Sequence, residues 1–456
     1  MPFRSFEFPA RRALLWLSSS LFLALAIGAN HGEYSESAIC YLTLAIGCGI
    51  GGVFFSSSRV HWLPESRRAL DLALGAAVLL FLFIGSARSS MPGLNAIRLL
   101  LVCGFVLIAL MPATKSYRFR RWLFPAVLCV QAMIWTSFIQ SIHRAEQNAR
   151  EYPTHVRNDV QIFAQEAARA LTAGKNPYSL RMPNVMGGDM PFYSEGTTGP
   201  DGKLSFGYPY LPLTLLWSLP GYWLGDFRLS HAVALLGAAL FLGTARPSPT
   251  SQLAATFLTL FPSTLYVLAL SWIEPIAIFF LSACVYCYFR APRWLFLTLG
   301  CLIVSKQYTV FMLALLPLLV PEPGQWRSLL WKSLGVALFL TLPMALWDIA
   351  GFYRSVIEIQ FKQPFREDSL SYLVTVFQVW GSKLSPALGF GALLGGLGLA
   401  LWKVPRVASL WCSAGAVAYL GFFVFNKQAF ANYYYWPFAL LVTAVAIALP
   451  PTETSP

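Results

Sequence analysis

Charged side chains are scarce in this chain. Only 12% of its 456 residues are Asp, Glu, Lys or Arg, where a soluble globular protein carries about 25%. So small a polar complement cannot cover the exterior of a water-soluble domain of this length. Negative charge is the scarcer sign, with 20 acidic against 33 basic residues and a net charge of +13. Histidine is rare too, and His31, His61, His143, His155 and His231 lack metal-ligand spacing. The eight cysteines lie nearly all inside apolar runs, which excludes a disulfide-stapled fold. Cys284-Val285-Tyr286-Cys287 has the spacing of a redox or zinc pair but no polar neighbour, and reads as two small buried residues. There is no repeat of about 20–50 residues and no pair of similar halves.

What fills the chain is hydrophobic sequence, 57% of it. Apolar stretches recur from Ala13 to Leu449, many reaching the roughly 18 or more residues of a membrane span. The fold class is therefore all-α, a polytopic integral membrane protein. The net positive charge does not indicate nucleic acid, because many Lys and Arg residues fall between apolar runs, where cytoplasmic loops collect them.

Charge also gives a topology. Arg4, Arg11 and Arg12 precede the first run, Ala13–Ala29, and place the amino terminus in the cytoplasm. That run ends as a signal peptide would, but many spans follow, so an uncleaved first helix is expected. Further spans fall at about 38–55, 69–86, 94–111 and 123–141. Arg59, Arg67, Arg68, Lys115, Arg118, Arg120 and Arg121 read inside, and Glu33 and Glu36 outside. After a long outer loop, spans continue at about 229–245, 252–270, 275–290, 294–305, 307–320, 328–347, 386–402, 407–425 and 433–449. Two of them are short and hinge at Ser305-Lys306, so the total is about 12–14, with both termini cytoplasmic. Segment 208–224, with Pro209, Pro212 and Pro220, reads as a re-entrant or interfacial helix. The glycine-rich run Gly389–Gly398 fits close helix packing better than phosphate cradling.

In such a chain the informative residues are the polar ones at outer helix ends and in outer loops. Val160, Phe163, Ala167, Ala170 and Leu171 follow helical spacing and predict an amphipathic interfacial helix, with Asn158 or Asp159 at its start. From position alone Asp159 reads first as an N-cap, since a carboxylate satisfies free backbone N–H groups there. Gly174 supplies the left-handed cap and Pro177 stops continuation. Lys306 sits in an apolar hinge, where an ionisable group is expensive; the alternative is a lysine snorkelling to the surface. Arg366 has the fork to grip a phosphate, or it pairs with Glu367 or Asp368. Lys427, Gln428 and Asn432 flank Tyr433-Tyr434-Tyr435-Trp436, aromatics that an interfacial belt also explains. Glu274 opens a helix before Pro275, a context that favours a cap.

An Asp starting an outer-loop amphipathic helix, then Gly174-Lys175-Asn176-Pro177-Tyr178, then Tyr208-Pro209-Tyr210-Leu211-Pro212-Leu213 leading into a helix, resembles a known group. These are the polyprenol-phosphate-sugar-dependent glycosyltransferases with the GT-C fold, and among them the bacterial α-mannosyltransferases of glycosyltransferase family 87. The resemblance is strongest over about 155–225, and the span layout extends it to the carboxyl end. It divides the chain into a four-helix membrane segment, about 1–122, and a GT-C-like core, about 123–456, with outer loops near 143–210 and 348–383.

The resemblance implies transfer of a hexose, mannose first, from a polyprenyl phosphate to a lipid or glycan acceptor, with inversion at the anomeric carbon. It places the enzyme in the inner (plasma) membrane with its site on the outer face. Asp159 is then the general base. Lys306, Arg366 and Lys427 are candidates for the donor phosphate. Glu274, Asn176, Tyr178, Tyr208, Gln307, Asn432 and Tyr433 are candidates for sugar and acceptor. No cofactor, essential metal or nucleic-acid partner is expected. A lipid-linked oligosaccharide flippase or small-solute transporter, and a polysaccharide polymerase or ligase, are the competing readings.

Overall fold

A computed structural model of the protein describes residues 10–55, 69–77, 117–149, 159–186, 192–194 and 196–448. The expected span at 94–111, the end of that at 69–86, Asn158, and the basic residues Arg4, Arg59, Arg67, Arg68 and Lys115 lie outside them. The described residues form helices and loops with isolated β-bridges but no strand. A hairpin of α1 (Ala10–Ala29) and α2 (Glu36–Ile50, continued as a π-helical turn Gly51–Phe55) comes first. Then follow α3 (69–77), α4 (Tyr117–Ala149), α5 (Asp159–Thr172), α6 (Pro212–Trp223), α7 (Phe227–Ala245), α8 (Pro249–Leu260), α9 (Pro262–Ala269) and α10 (Glu274–Arg290). The chain ends with α11 (Leu295–Ile303), α12 (Pro323–Trp347), α13 (Tyr372–Trp380), α14 (Ala387–Lys403), α15 (Ala408–Val424) and α16 (Ala431–Ile447).

Five of these helices are long and apolar enough to cross a bilayer: Arg11–Ala29, Glu36–Phe55, Trp122–Gln147, Phe227–Ala245 and Pro323–Trp347. Shorter apolar helices such as α14 and α15, 17 residues each, stand at the lower limit of the about 17–25 that span. The chain is thus a polytopic helical membrane protein. The stretch expected as one span at 252–270 is instead broken: α8 and α9 meet at 49°. Pro262 has no N–H to continue the ladder. Likewise α11 stops at Ile303, Lys306 is extended at φ −156°, and a 3-10 helix runs from Gln307 to Leu315. The hinge expected at Ser305-Lys306 is therefore present. The 348–383 segment is largely helical, with short turns Ile349–Phe352, Tyr353–Glu358 and Ile359–Lys362 before α13.

Helices α15 and α16 form the centre, with nearly every residue buried. Helix α16 packs against α1, α8, α10 and α15, and α2 lies on α15. The amino-terminal hairpin is therefore part of the same body as the carboxyl-terminal helices. Two glycines of the Gly389–Gly398 run do serve close packing. A Cβ on Gly389 would come within 2.7 Å of the Phe422 carbonyl, and one on Gly396 within 3.3 Å of Ala418. Tyr434, Tyr435 and Trp436 are fully buried rather than forming an interfacial belt. Their polar tips are used inside the protein: the Tyr434 hydroxyl donates to the Leu370 carbonyl at 2.5 Å, and the Tyr435 hydroxyl lies 2.8 Å from that of Thr264.

The two ends of the bundle differ in kind. At one end Arg290 donates to the Ala245 carbonyl and Arg246 to that of Ile447, gathering basic side chains round the ends of α7, α10 and α16. At the other end the α1–α2 turn, α5, and the 348–383 segment converge on a cavity.

Candidate functional site

Helix α5 is positioned by its sequence. Val160, Phe163, Ala164, Ala167 and Ala168 are buried, as the helical spacing requires. Phe163 packs edge-on against Phe206. The helix ends at Gly174, φ +70°, with Lys175 N–H donating to the Ala170 carbonyl at 2.8 Å. A second anchor was not visible in the sequence. Arg228, fully buried at the start of α7, donates to Glu146 of α4, Asp226, Gln161 of α5 and the Ala269 carbonyl. These partners lie up to 82 positions away, so no local motif marks them. His143 Nδ1 reaches Asp226 at 3.4 Å. The network ties α5 to α4, α7 and α9.

So fixed, Asp159 faces a cavity of about 600 Å³. One carboxylate oxygen accepts the Val160 N–H at 2.8 Å, and the other accepts the Tyr193 hydroxyl at 3.1 Å. The carboxylate therefore does part of a cap's work and still presents an oxygen to the cavity. Burial raises its pKa, while the Tyr193 bond, its backbone bonds and the charge of Arg366 pull it down, leaving it above the ordinary carboxylate value. Burial and the Asp159 charge push the Tyr193 phenol up, so it stays protonated and donates.

The cavity collects Lys306, Gln307, Arg366, Lys427, Asn432 and Tyr433 beside Asp159. Lys306 does not snorkel; it is buried and donates to Glu274 Oε1 at 2.7 Å. Glu274 does not cap α10, which has no side-chain cap bond. Its carboxylate turns sideways because Lys306 and Asn432, the latter at 3.3 Å, both converge on Oε1. It sits behind the wall, not in it. Arg366 pairs with Asp368 through Nε at 2.9 Å and Nη2 at 2.5 Å, and stacks between Phe192 and Phe430. Among the described residues no acceptor takes its Nη1 hydrogens, which leaves them for another partner. Lys427 donates to the Phe361 carbonyl at 2.7 Å, and burial lowers its pKa. Gln307 holds the Pro209 carbonyl at 2.8 Å.

Besides Glu274, three candidates stand outside the cavity. Asn176 closes the turn onto Tyr178 N–H at 2.9 Å, Tyr178 donates to the Tyr210 carbonyl at 2.8 Å, and Tyr208 bonds Thr214 at 2.9 Å. They shape the loop that presents Tyr210, which does line the cavity. Sequence reasoning missed Tyr193, hidden in a Gly- and Pro-rich loop. It also missed His31, noted only for lacking metal-ligand spacing, and Glu33, noted only as a marker of topology. Among the described residues, no three His, Cys, Asp or Glu come together as a metal ion would need.

The cavity is two-sided in character. Near Asp159 it is polar and cationic; towards α14 and α15 it is walled by Phe311, Pro386, Phe390 and Phe422. Phe390 and its neighbours Leu388 and Leu394 are exposed on the bundle's side. Comparisons of the chain with protein-family models, with curated proteins and with solved structures return no match.

Proposed function

We propose that this protein is a membrane glycosyltransferase that moves a hexose from a polyprenyl-phosphate donor to a lipid or glycan acceptor at the outer face. The observation that carries the reading is a carboxylate, Asp159, set in one amphipathic cavity with three cationic side chains. The aromatic, apolar wall suits a prenyl chain, and the cationic end suits its phosphate. In the reaction the acceptor oxygen bonds the anomeric carbon from the face opposite the phosphate. The C1–O bond to phosphate breaks, its electron pair leaves with polyprenyl phosphate, and the hydroxyl proton passes to Asp159. A base in this place gains from a raised pKa, which moves it towards working pH. The free N–H groups of Arg366 and the ammonium groups of Lys306 and Lys427 stand where negative charge grows.

A transporter is the second reading, favoured by the broken α8–α9 pair and the ion pair buried at the Lys306 hinge. Membranes carrying wild type and Asp159→Asn, given labelled polyprenyl-phosphate mannose, separate the two. Glycosyl transfer predicts product with wild type and a loss of about 100-fold or more with the variant, the usual contribution of a general base. Equal rates in both would remove Asp159 from the chemistry. Solute uptake by liposomes with no transfer from any polyprenyl-phosphate sugar would establish the transporter.

A further inference from the structure

Among the described residues, five charged side chains line the cavity: Glu33, Asp159, Lys306, Arg366 and Lys427. Four have a hydrogen-bond partner within the protein, namely Tyr193, Glu274, Asp368 and the Phe361 carbonyl. The fifth, Glu33, makes no side-chain hydrogen bond or ion pair among the described residues, and the ring nitrogens of His31 make none either.

Yet the turn that carries these two residues is built firmly. Glu33 N–H donates to the Asn30 carbonyl at 2.8 Å, the Asn30 side chain to the Tyr34 carbonyl at 3.0 Å, and Tyr34 N–H to the Asp368 carbonyl at 2.8 Å. Gly32, at φ +81°, lets the turn press on the start of α16, where any added Cβ would overlap the Ala431 backbone. Asp368 is itself the partner of Arg366, so the turn is locked to the phosphate side of the cavity.

Beside Glu33 stands an aromatic corner. The His31 ring lies 5.6 Å from Tyr266, and Tyr266 meets Trp272 edge-on at 5.3 Å. Tyr266 and Trp272 are only partly buried, and both line the cavity. Two non-glycine residues with positive φ occur among the described residues, His31 at 54° and Ser271 at 53°. One presents its own ring to this corner, and the other immediately precedes Trp272. Such backbone is maintained only where its surroundings over-determine it.

We propose that Glu33, His31, Tyr266 and Trp272 form a carbohydrate subsite that holds the acceptor pyranose. Its assignment to the acceptor rests on the glycosyl-transfer reading above. Ring faces with partial negative charge pack on the C–H face of a pyranose. The unpaired carboxylate takes two sugar hydroxyls as donors, a charge-assisted pairing, and His31 supplies a third contact. The α1–α2 hairpin, remote in sequence from Asp159, thereby supplies part of the recognition.

The test measures binding first, so it does not depend on turnover. Full-length protein in nanodiscs is titrated with octyl mannoside, octyl glucoside and octyl galactoside, and with a tetraethylene-glycol octyl ether as the sugar-free control. At least one octyl glycoside is expected to bind saturably and the ether not to. Glu33→Gln should weaken binding about tenfold, the worth of a hydrogen bond to a charged group. Trp272→Leu should weaken it comparably, and Trp272→Phe, which keeps a ring, should restore most of it. Equal binding of the ether, or wild-type affinity in both Glu33→Gln and Trp272→Leu, would overturn the subsite. In transfer assays Glu33→Gln should raise KM for the acceptor alone. A rise confined to the donor KM would overturn the acceptor assignment. Sugar binding that survives in a protein with no transferase activity would refute the function proposed above while leaving the subsite standing.

Discussion

Lys306 and Glu274 are both buried, and an ion pair in such surroundings is stable only as a pair. Glu274→Ala leaves an unpartnered ammonium and should lower stability by about 3–5 kcal/mol, read as a fall in the thermal unfolding midpoint. The double variant Glu274→Leu with Lys306→Met should recover most of it, since apolar groups of similar size remove both desolvation penalties. Asp159 makes a different prediction. Its pKa is raised, so on acidification its proton-free form is lost earlier than for an ordinary carboxylate. Transfer rate should therefore fall as pH drops through this raised pKa, with a limb that Asp159→Asn abolishes. Arg366→Lys keeps the charge but not the fork, and should raise the donor KM while leaving that of the acceptor unchanged. Asp159 was readable because an acid opening an amphipathic helix is a local pattern. For Glu274 the sequence shows only its neighbour Pro275, a context that favoured a cap over a sugar contact, and α10 has no side-chain cap bond. The residue that claims its carboxylate, Lys306, arrives 32 positions later.

Among elements, α5 shows how far periodicity reaches. Its apolar face and its Gly174 stop follow from spacing, and both are present in the fold. Its docking does not follow, because Gln161 meets Arg228, 67 positions on. Arg228→Met removes that link and leaves Asp226 without its cation. Hydrogen exchange should speed up across 159–172, with α15 and α16 unchanged. The α1–α2 turn depends on Gly32 in the same way. Gly32→Ala must move the turn off Ala431, and it should weaken acceptor binding along with Glu33→Gln. The break between α8 and α9 was not legible, because both halves are apolar and hydropathy averages over the proline.

For the whole molecule, charge asymmetry predicts orientation. Basic side chains gather at the ends of α7, α10 and α16, and the polar cavity lies at their starts. The positive-inside rule then predicts an outward-facing cavity, which cysteine labelling tests. In a background with the native cysteines changed to serine, Ser37→Cys and Lys175→Cys should react with an impermeant maleimide on intact cells. Arg293→Cys should react only after permeabilisation; the reverse pattern would invert the topology. By itself the sequence determined a helical, many-span membrane protein, the places of most helices, and a short set of polar residues worth attention. Hydropathy and helical period are local properties, and a scarcity of charge makes each remaining charge conspicuous. Only the tertiary structure decided how those residues are paired, which of them share a cavity, and that the first hairpin brings Glu33 and His31 to it. Those outcomes depend on helices packing across tens to hundreds of residues, and nothing local in the chain encodes which polar ends will meet.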